Sequence, residues 1–319
     1  MNFLVIGLGA GLASALLVAV VAKATPLAML LFLLAPIPIL IATLGWDHRA
    51  GLVGTAVGGL VTALVLSPLE GLAFAIGTAL PAWWLGYLAL LGQTHPDGTV
   101  EWYPLGRLLM WIAGTAALTV LATAIVSSGT YESFQERSRR LAELFLQGQR
   151  PPRAPDAPAP PPDVLVERFA ALAPMLAAQG FTLILAMYVW LGAKIVAVSG
   201  RLPRPWPYIP ATAMPRSTLL LLAGALVLAN LAGGFVGVLG IALVGAVIMA
   251  FGLQGLAALH HLTVGRNGRT PILIVTYLLL VLSQGLLFLA LILFGIVDTA
   301  FGLRARLARP RGPTPPTPT

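Results

Sequence analysis

Cysteine is absent from the 319 residues, which removes disulfides, thiolate metal sites and cysteine nucleophiles together. Charge is nearly as scarce. Asp, Glu, Lys and Arg make up 9% of the chain, against about 25% in a soluble globular domain, so the surface cannot be mainly water-facing. Neither a Ser/His/Asp set, nor paired carboxylates, nor a phosphate-binding loop can be picked out. An enzyme is therefore not expected, and no cofactor or metal is expected with it.

What the chain has instead is apolar length. Hydrophobic residues make up 58% of it, and residues 3–22, 27–45, 51–69, 71–93, 108–131, 169–193, 217–259 and 271–297 contain no Asp, Glu, Lys or Arg. A helix crossing a bilayer needs roughly 20 such residues, because each rises about 1.5 Å across a hydrocarbon core of about 30 Å. The 217–259 tract is long enough for two passes, with Asn230 and Gly233-Gly234 marking a turn. The expected fold is thus all-α, a polytopic membrane helix bundle of eight or nine transmembrane helices. A transmembrane β-barrel would instead alternate in segments of about 10 residues. The excess of 19 Lys and Arg over 11 Asp and Glu lies in loops and in a tail with Arg304, Arg306, Arg309 and Arg311. Anionic headgroups of the lipid bilayer explain it, and nucleic acid is not expected as a partner.

The organisation is two helical blocks and one break. Residues 1–130 form an N-terminal transmembrane block with very short connections. Residues 131–168 open with Tyr131 to Phe145, where Phe134, Leu141, Leu144 and Phe145 fall near helical spacing among charges, as in an amphipathic helix lying on a membrane. A stretch with seven prolines, residues 150–163, follows as an extended spacer. Residues 169–303 form the C-terminal transmembrane block, and 304–319 a basic, proline-rich disordered tail. The tail arginines favour a cytoplasmic C-terminus. With an even number of spans the N-terminus joins it, and segment 27–45, with Pro36 and Pro38, then dips in without crossing. The first helix is not expected to be a cleaved signal peptide, since Met1-Asn2 lacks a basic side chain and the apolar stretch is too long.

Gly7, Gly11 and Ala15 recur every four residues on that first helix. Such a small-residue face lets another helix approach closely, whether within the chain or from another membrane subunit. The alternative, a dinucleotide-binding turn, lacks the third glycine and the acidic residue about 20 positions on. Asn230, Gln254, His260, His261, Gln284 and Asp298 are polar residues at membrane depth, where such groups are costly. Three aromatic-proline clusters, at Pro81–Trp84, Glu101–Pro104 and Arg204–Tyr208, admit two readings. They are an interfacial aromatic belt, or a ligand pocket in which Trp83, Trp84 and Trp102 stack a planar substrate while Glu101 and Arg107 fix its polar groups.

The runs Thr25-Pro-Leu-Ala28, Ala35-Pro-Ile-Pro-Ile39, Leu44-Gly-Trp46, Leu80-Pro-Ala-Trp-Trp-Leu-Gly86 and Glu101-Trp-Tyr-Pro104 resemble the YybS-like family of bacterial membrane proteins. Ser199 to Pro207, Met214-Pro-Arg216, Gly255 to His260 and Asp298 to Arg304 extend the likeness over nearly the whole chain. That family is distantly similar to the substrate-binding subunits of energy-coupling-factor vitamin transporters and to the cell-shape membrane protein MreD. The resemblance implies a multi-pass protein of the bacterial inner (plasma) membrane, either a transporter subunit binding a small molecule or a scaffold in a cell-envelope complex. In the transporter case Gly7, Gly11 and Ala15 would dock a coupling subunit.

Overall fold

The computed structural model describes residues 2–148, 164–283 and 285–307. The proline-rich spacer at 150–163, Gln284 and the tail beyond 307, with Arg309 and Arg311, lie outside them. The chain is an all-α bundle. Helix α1 spans Phe3–Ala19, α2 Pro26–Leu33, α3 Ile37–Gly45, α4 His48–Val65, α5 Pro68–Phe74 and α6 Leu80–Ala89. A short hairpin, β1 (Gly92–Thr94) with β2 (Val100–Trp102), leads into α7 (Leu105–Ser128) and α8 (Tyr131–Gln147). After them come α9 (Val164–Val198), α10 (Ser217–Leu231), α11 (Gly234–Thr263), α12 (Arg269–Leu282), α13 (Leu286–Phe301) and α14 (Leu303–Leu307).

Local chemistry sets these boundaries. Thr25, Asp47, Ser67 and Thr130 each accept a backbone N–H from the first turn of the helix they precede, satisfying donors that have no partner inside the helix. Pro81 has no N–H to donate, and the chain passes through a π-helical turn at Ala75–Ala79 just before it. The Thr55 hydroxyl, from α4, donates to the Ala79 carbonyl at 3.2 Å.

Among the described residues, seven helical stretches are long and apolar enough to cross a bilayer, and three apolar helices, α10, α12 and α13, are shorter. The two-pass reading of 217–259 matches α10 and α11, which turn back at Ala232–Gly233. The 271–297 tract, read as one span, is two helices of 14 and 16 residues. Gly285 there has φ of 100°, a conformation open to glycine at little cost, and Ser283 Oγ accepts the Leu287 N–H at 3.1 Å. No charge or proline marks that break, so apolar length alone runs straight through it. The 131–145 segment does form the single amphipathic helix α8. Its Ala142 and Leu146 are buried with Val166 of α9, while Leu141, Leu144 and Phe145 stay exposed.

Close approaches give the helices their directions. Gly7 lies against Ala50 and Val53, and Gly11 against Gly54, Val57 and Gly58, so α1 and α4 run parallel. Gly51 faces Trp83, Gly58 faces Phe74 and Gly59 faces Ala75, so α6 returns antiparallel to α4. Leu40 packs on Gly192 and Gly45 on Val196, which sets α3 parallel to α9. One end of the bundle therefore collects the starts of α1, α4 and α7, the ends of α3, α6 and α9, the hairpin, and the 199–216 segment. The opposite end holds Leu66–Ser67, Gly129–Thr130 and α8.

Candidate functional site

The aromatic clusters meet at the hairpin end. Trp83 donates its indole N–H to the His48 carbonyl at 2.9 Å, and its ring stacks on Tyr87 at 6.2 Å. Trp84 makes an edge contact with Trp111 at 5.5 Å, and Trp111 in turn donates to the Tyr103 hydroxyl at 3.0 Å. Three cations lie over rings here: Arg201 on Trp46 at 4.6 Å, Lys194 on Trp206 at 4.9 Å, and Arg204 on Trp102 at 5.8 Å. A ring face is negative, so each such stacking holds a cation against an aromatic side chain at this end of the bundle.

None of the five sequence-derived ligand residues lines the cavity described below. Trp83 and Trp84 are half-buried between α4, α6 and α7, and Trp102 lies beneath Arg204. Glu101 is exposed and pairs across the hairpin turn with His95 at 3.2 Å. Arg107, exposed on the first turn of α7, makes no ion pair with Glu101 among the described residues. In the hairpin turn itself, the Thr99 hydroxyl and N–H both donate to Asp97, which lowers that carboxyl below its ordinary pKa.

A cavity of about 470 Å³ opens beside this cluster, among α7, α9, α11, α12 and the 199–216 segment. Its size falls in the roughly 300–1,000 Å³ range of small-molecule sites. Leu105, Leu108, Leu109, Ile112, Leu253 and Leu256 form an apolar part of its wall. The polar side chains in the lining are Arg204, Thr212, His260 and Tyr277, together with the indoles of Trp190 and Trp206, and no Asp or Glu is among them. Arg204 donates from Nη1 to the Ala89 carbonyl at 2.8 Å. Its Nε is buried without a hydrogen-bond partner among the described residues, and burial lowers its pKa from the ordinary arginine value. Sequence reasoning had placed Arg204 in an aromatic-proline cluster but not in a ligand set. The signal was Arg204-Pro-Trp-Pro207, a proline-held segment carrying one cation.

A second group sequence reasoning flagged only in part is the polar network under that segment. Gln254, with 0% exposure, accepts the Met214 N–H at 2.8 Å and donates to Thr299 at 2.8 Å and Asp298 at 3.1 Å. Arg304 binds Asp298 and also donates to the carbonyls of Pro210 at 3.0 Å and Thr212 at 2.7 Å. Backbone groups that a long helix does not pair need partners elsewhere in the protein when they are shielded from water. These bonds supply such partners, and so hold the cavity wall in place. Asp298, one of the polar residues singled out in the sequence, thus lies at the end of α13 against Arg304.

The small-residue face of α1 lies inside the fold. Gly7, Gly11 and Ala15 are buried, with the two glycines on α4 of the same chain, whereas Leu4, Leu8, Leu12 and Leu16 are exposed. The seven long apolar stretches and these exposed leucines put the protein in contact with a lipid bilayer as a multi-pass membrane protein. Among the described residues no three His, Asp or Glu side chains gather as a metal site.

Comparison with known proteins agrees on that class. A family model described as predicted membrane protein (DUF2232) matches residues 12–299. No curated protein and no solved structure matches the chain.

Proposed function

The chain belongs to the DUF2232 family of predicted membrane proteins, and from that premise we propose that it is a non-enzymatic bacterial inner-membrane protein that takes a small, largely apolar molecule into the cavity beside the 199–216 segment, as a transporter's substrate-binding subunit does. The observation that carries this is the cavity of about 470 Å³, apolar over most of its wall, with Arg204 as its one lining residue that is always charged. Apolar walls with a few convergent polar groups are the usual make-up of a ligand site. This is also a role that the family resemblance read from the sequence implies, with a coupling subunit met through exposed helix faces.

Native mass spectrometry of the detergent-extracted protein tests it. A retained small molecule, lost on Ala257→Phe, which places a ring in the cavity, is the expected result. A monomer that carries nothing and retains no candidate molecule would sink the idea.

A second reading is a scaffold component of an envelope complex, of the MreD type. One observation favours it: α12 has no fully buried residue, and Ile272, Ile274, Val275, Leu278, Leu279, Val281 and Leu282 are exposed, which leaves an apolar face for a protein partner. Crosslinking from α12 to division or elongation proteins, with uptake unchanged on deletion, would favour the scaffold.

A further inference from the structure

The same cavity carries a narrower conclusion about what it holds, and that conclusion rests on the ligand-binding reading above. An arginine facing an apolar cavity is costly unless its charge and its N–H groups are answered. Arg204 is answered only in part. One N–H donates to Ala89 and one face of the guanidinium covers Trp102, while the buried Nε has no partner among the described residues. No carboxylate lines the cavity, and among the described residues Arg204 takes part in no salt bridge. The missing counter-charge is therefore one a ligand would bring.

The shape of the lining says what else the ligand must be. From Arg204 the wall continues as leucine and isoleucine from α7 and α11, with nothing charged. At its margin stand Trp190 of α9, Trp206 and Tyr277 of α12, which are 50%, 40% and 45% exposed. Trp190 and Tyr277 lie on apolar helices and are exposed, the setting of side chains that meet lipid. Trp and Tyr are the side chains suited to the depth where chains meet headgroups.

We propose that the cavity binds an anionic amphiphile drawn from the bilayer, its carboxylate or phosphate on Arg204 and its hydrocarbon chain along Leu105, Leu108, Leu109, Ile112, Leu253 and Leu256. The two sources of that chemistry are a fatty acid and an anionic phospholipid.

The test exchanges the purified full-length protein into mixed micelles containing palmitate, dipalmitoyl phosphatidylglycerol or dipalmitoyl phosphatidylcholine, and follows retention on dilution by native mass spectrometry. One of the anionic probes is expected to be retained about tenfold or more over phosphatidylcholine, the size of one charge-assisted hydrogen bond. Whichever of palmitate and phosphatidylglycerol is held longer identifies the source. Arg204→Gln is expected to abolish the preference and Arg204→Lys to keep most of it. Ala257→Phe, which leaves the charge in place, is expected to lower retention of every chain-bearing probe. Because Arg204→Gln also loses the bond to Ala89, the Lys and Ala257 variants keep the test decisive if it fails to fold. Equal retention of the three probes, abolished by Ala257→Phe, overturns the headgroup assignment and leaves the cavity reading standing. Failure of the wild type to retain any probe overturns the amphiphile, while the cavity reading stands or falls on the co-purified molecule. Displacement of the anionic probes by inorganic phosphate alone, at equal concentration, overturns the amphiphile in favour of a free anion.

Discussion

The Arg304 guanidinium closes on a single oxygen of Asp298, with Nε at 2.8 Å and Nη2 at 2.7 Å from Oδ2. The Arg304 backbone N–H takes the other oxygen, Oδ1, at 3.1 Å. Arg304 and Asp298 are 8% and 5% exposed, and two further guanidinium donors go to carbonyls of the segment that walls the cavity. A buried ion pair is weak evidence of net stability, because desolvation offsets much of the attraction. Its position matters more: it ties the end of α13 to the connection between α9 and α10, about ninety residues earlier in the chain.

Removing one partner is accordingly expected to hurt more than removing both. Asp298→Ala should cost about 3–5 kcal/mol, because it strands a buried cation. Asp298→Leu combined with Arg304→Met should recover part of that loss. Thermal unfolding in detergent, followed by tryptophan fluorescence, measures both. A double variant no more stable than the single one would show that the pair's charge is not what the site needs.

The α1–α4 seam predicts a sharp contrast between neighbouring glycines. A Cβ on Gly11 would sit 2.6 Å from the Gly54 carbonyl oxygen, whereas one on Gly9 meets nothing within 4 Å. Gly11→Val should destabilise by about 1–3 kcal/mol or more, and Gly9→Ala should stay within about 0.5 kcal/mol of wild type, as surface changes do. Size-exclusion profiles after a heating series would separate them. Equal behaviour of the two variants would argue against this seam.

Trp83→Phe removes the donor to the His48 carbonyl while keeping most of the ring, and should cost about 1 kcal/mol of stability. Glu101→Ala and Arg107→Ala, both on exposed side chains, should fall within about 0.5 kcal/mol. None of the three should change retention in the Arg204 cavity, since none lines it. A loss of bound ligand in any of them would restore the Trp83–Trp84–Glu101–Trp102–Arg107 pocket inferred from sequence.

The absence of cysteine makes the helix directions directly testable. Gln93→Cys in the hairpin and Ser199→Cys after α9 should react with a membrane-impermeant maleimide from one face of sealed vesicles. Glu70→Cys and Glu132→Cys should react only from the other. Labelling of Gln93→Cys and Glu70→Cys from the same face would contradict the antiparallel α4–α6 pair.

Much of the fold was legible because lipid leaves the backbone little choice. A run such as Leu108–Ser128 must satisfy its own peptide groups, and only a helix does so within one segment. The α10–α11 turn was readable for the same reason, since Asn230 and Gly233-Gly234 interrupt the pattern locally. The α12–α13 break was not, because Ser283-Gln284-Gly285 carries no charge or proline and the left-handed conformation of Gly285 leaves no trace in hydropathy. The aromatic clusters were visible as residues, but their partners were not. Trp102 and Arg204 are about a hundred positions apart, and only the packing of the hairpin on the 199–216 segment brings them together.

By itself, then, the sequence determined the medium and the element type: membrane, helix, a mid-chain amphipathic segment and a seam of small residues on α1. These follow from apolar length and residue size, properties that each segment carries alone. Only the tertiary structure decided which helix fills that seam, that Arg204 faces a cavity with no acidic residue in its wall, and that Asp298 and Arg304 bind the segment enclosing it. Those outcomes depend on contacts such as Arg204 with Ala89, 115 residues apart. They come from how helices pack, and no local pattern encodes them.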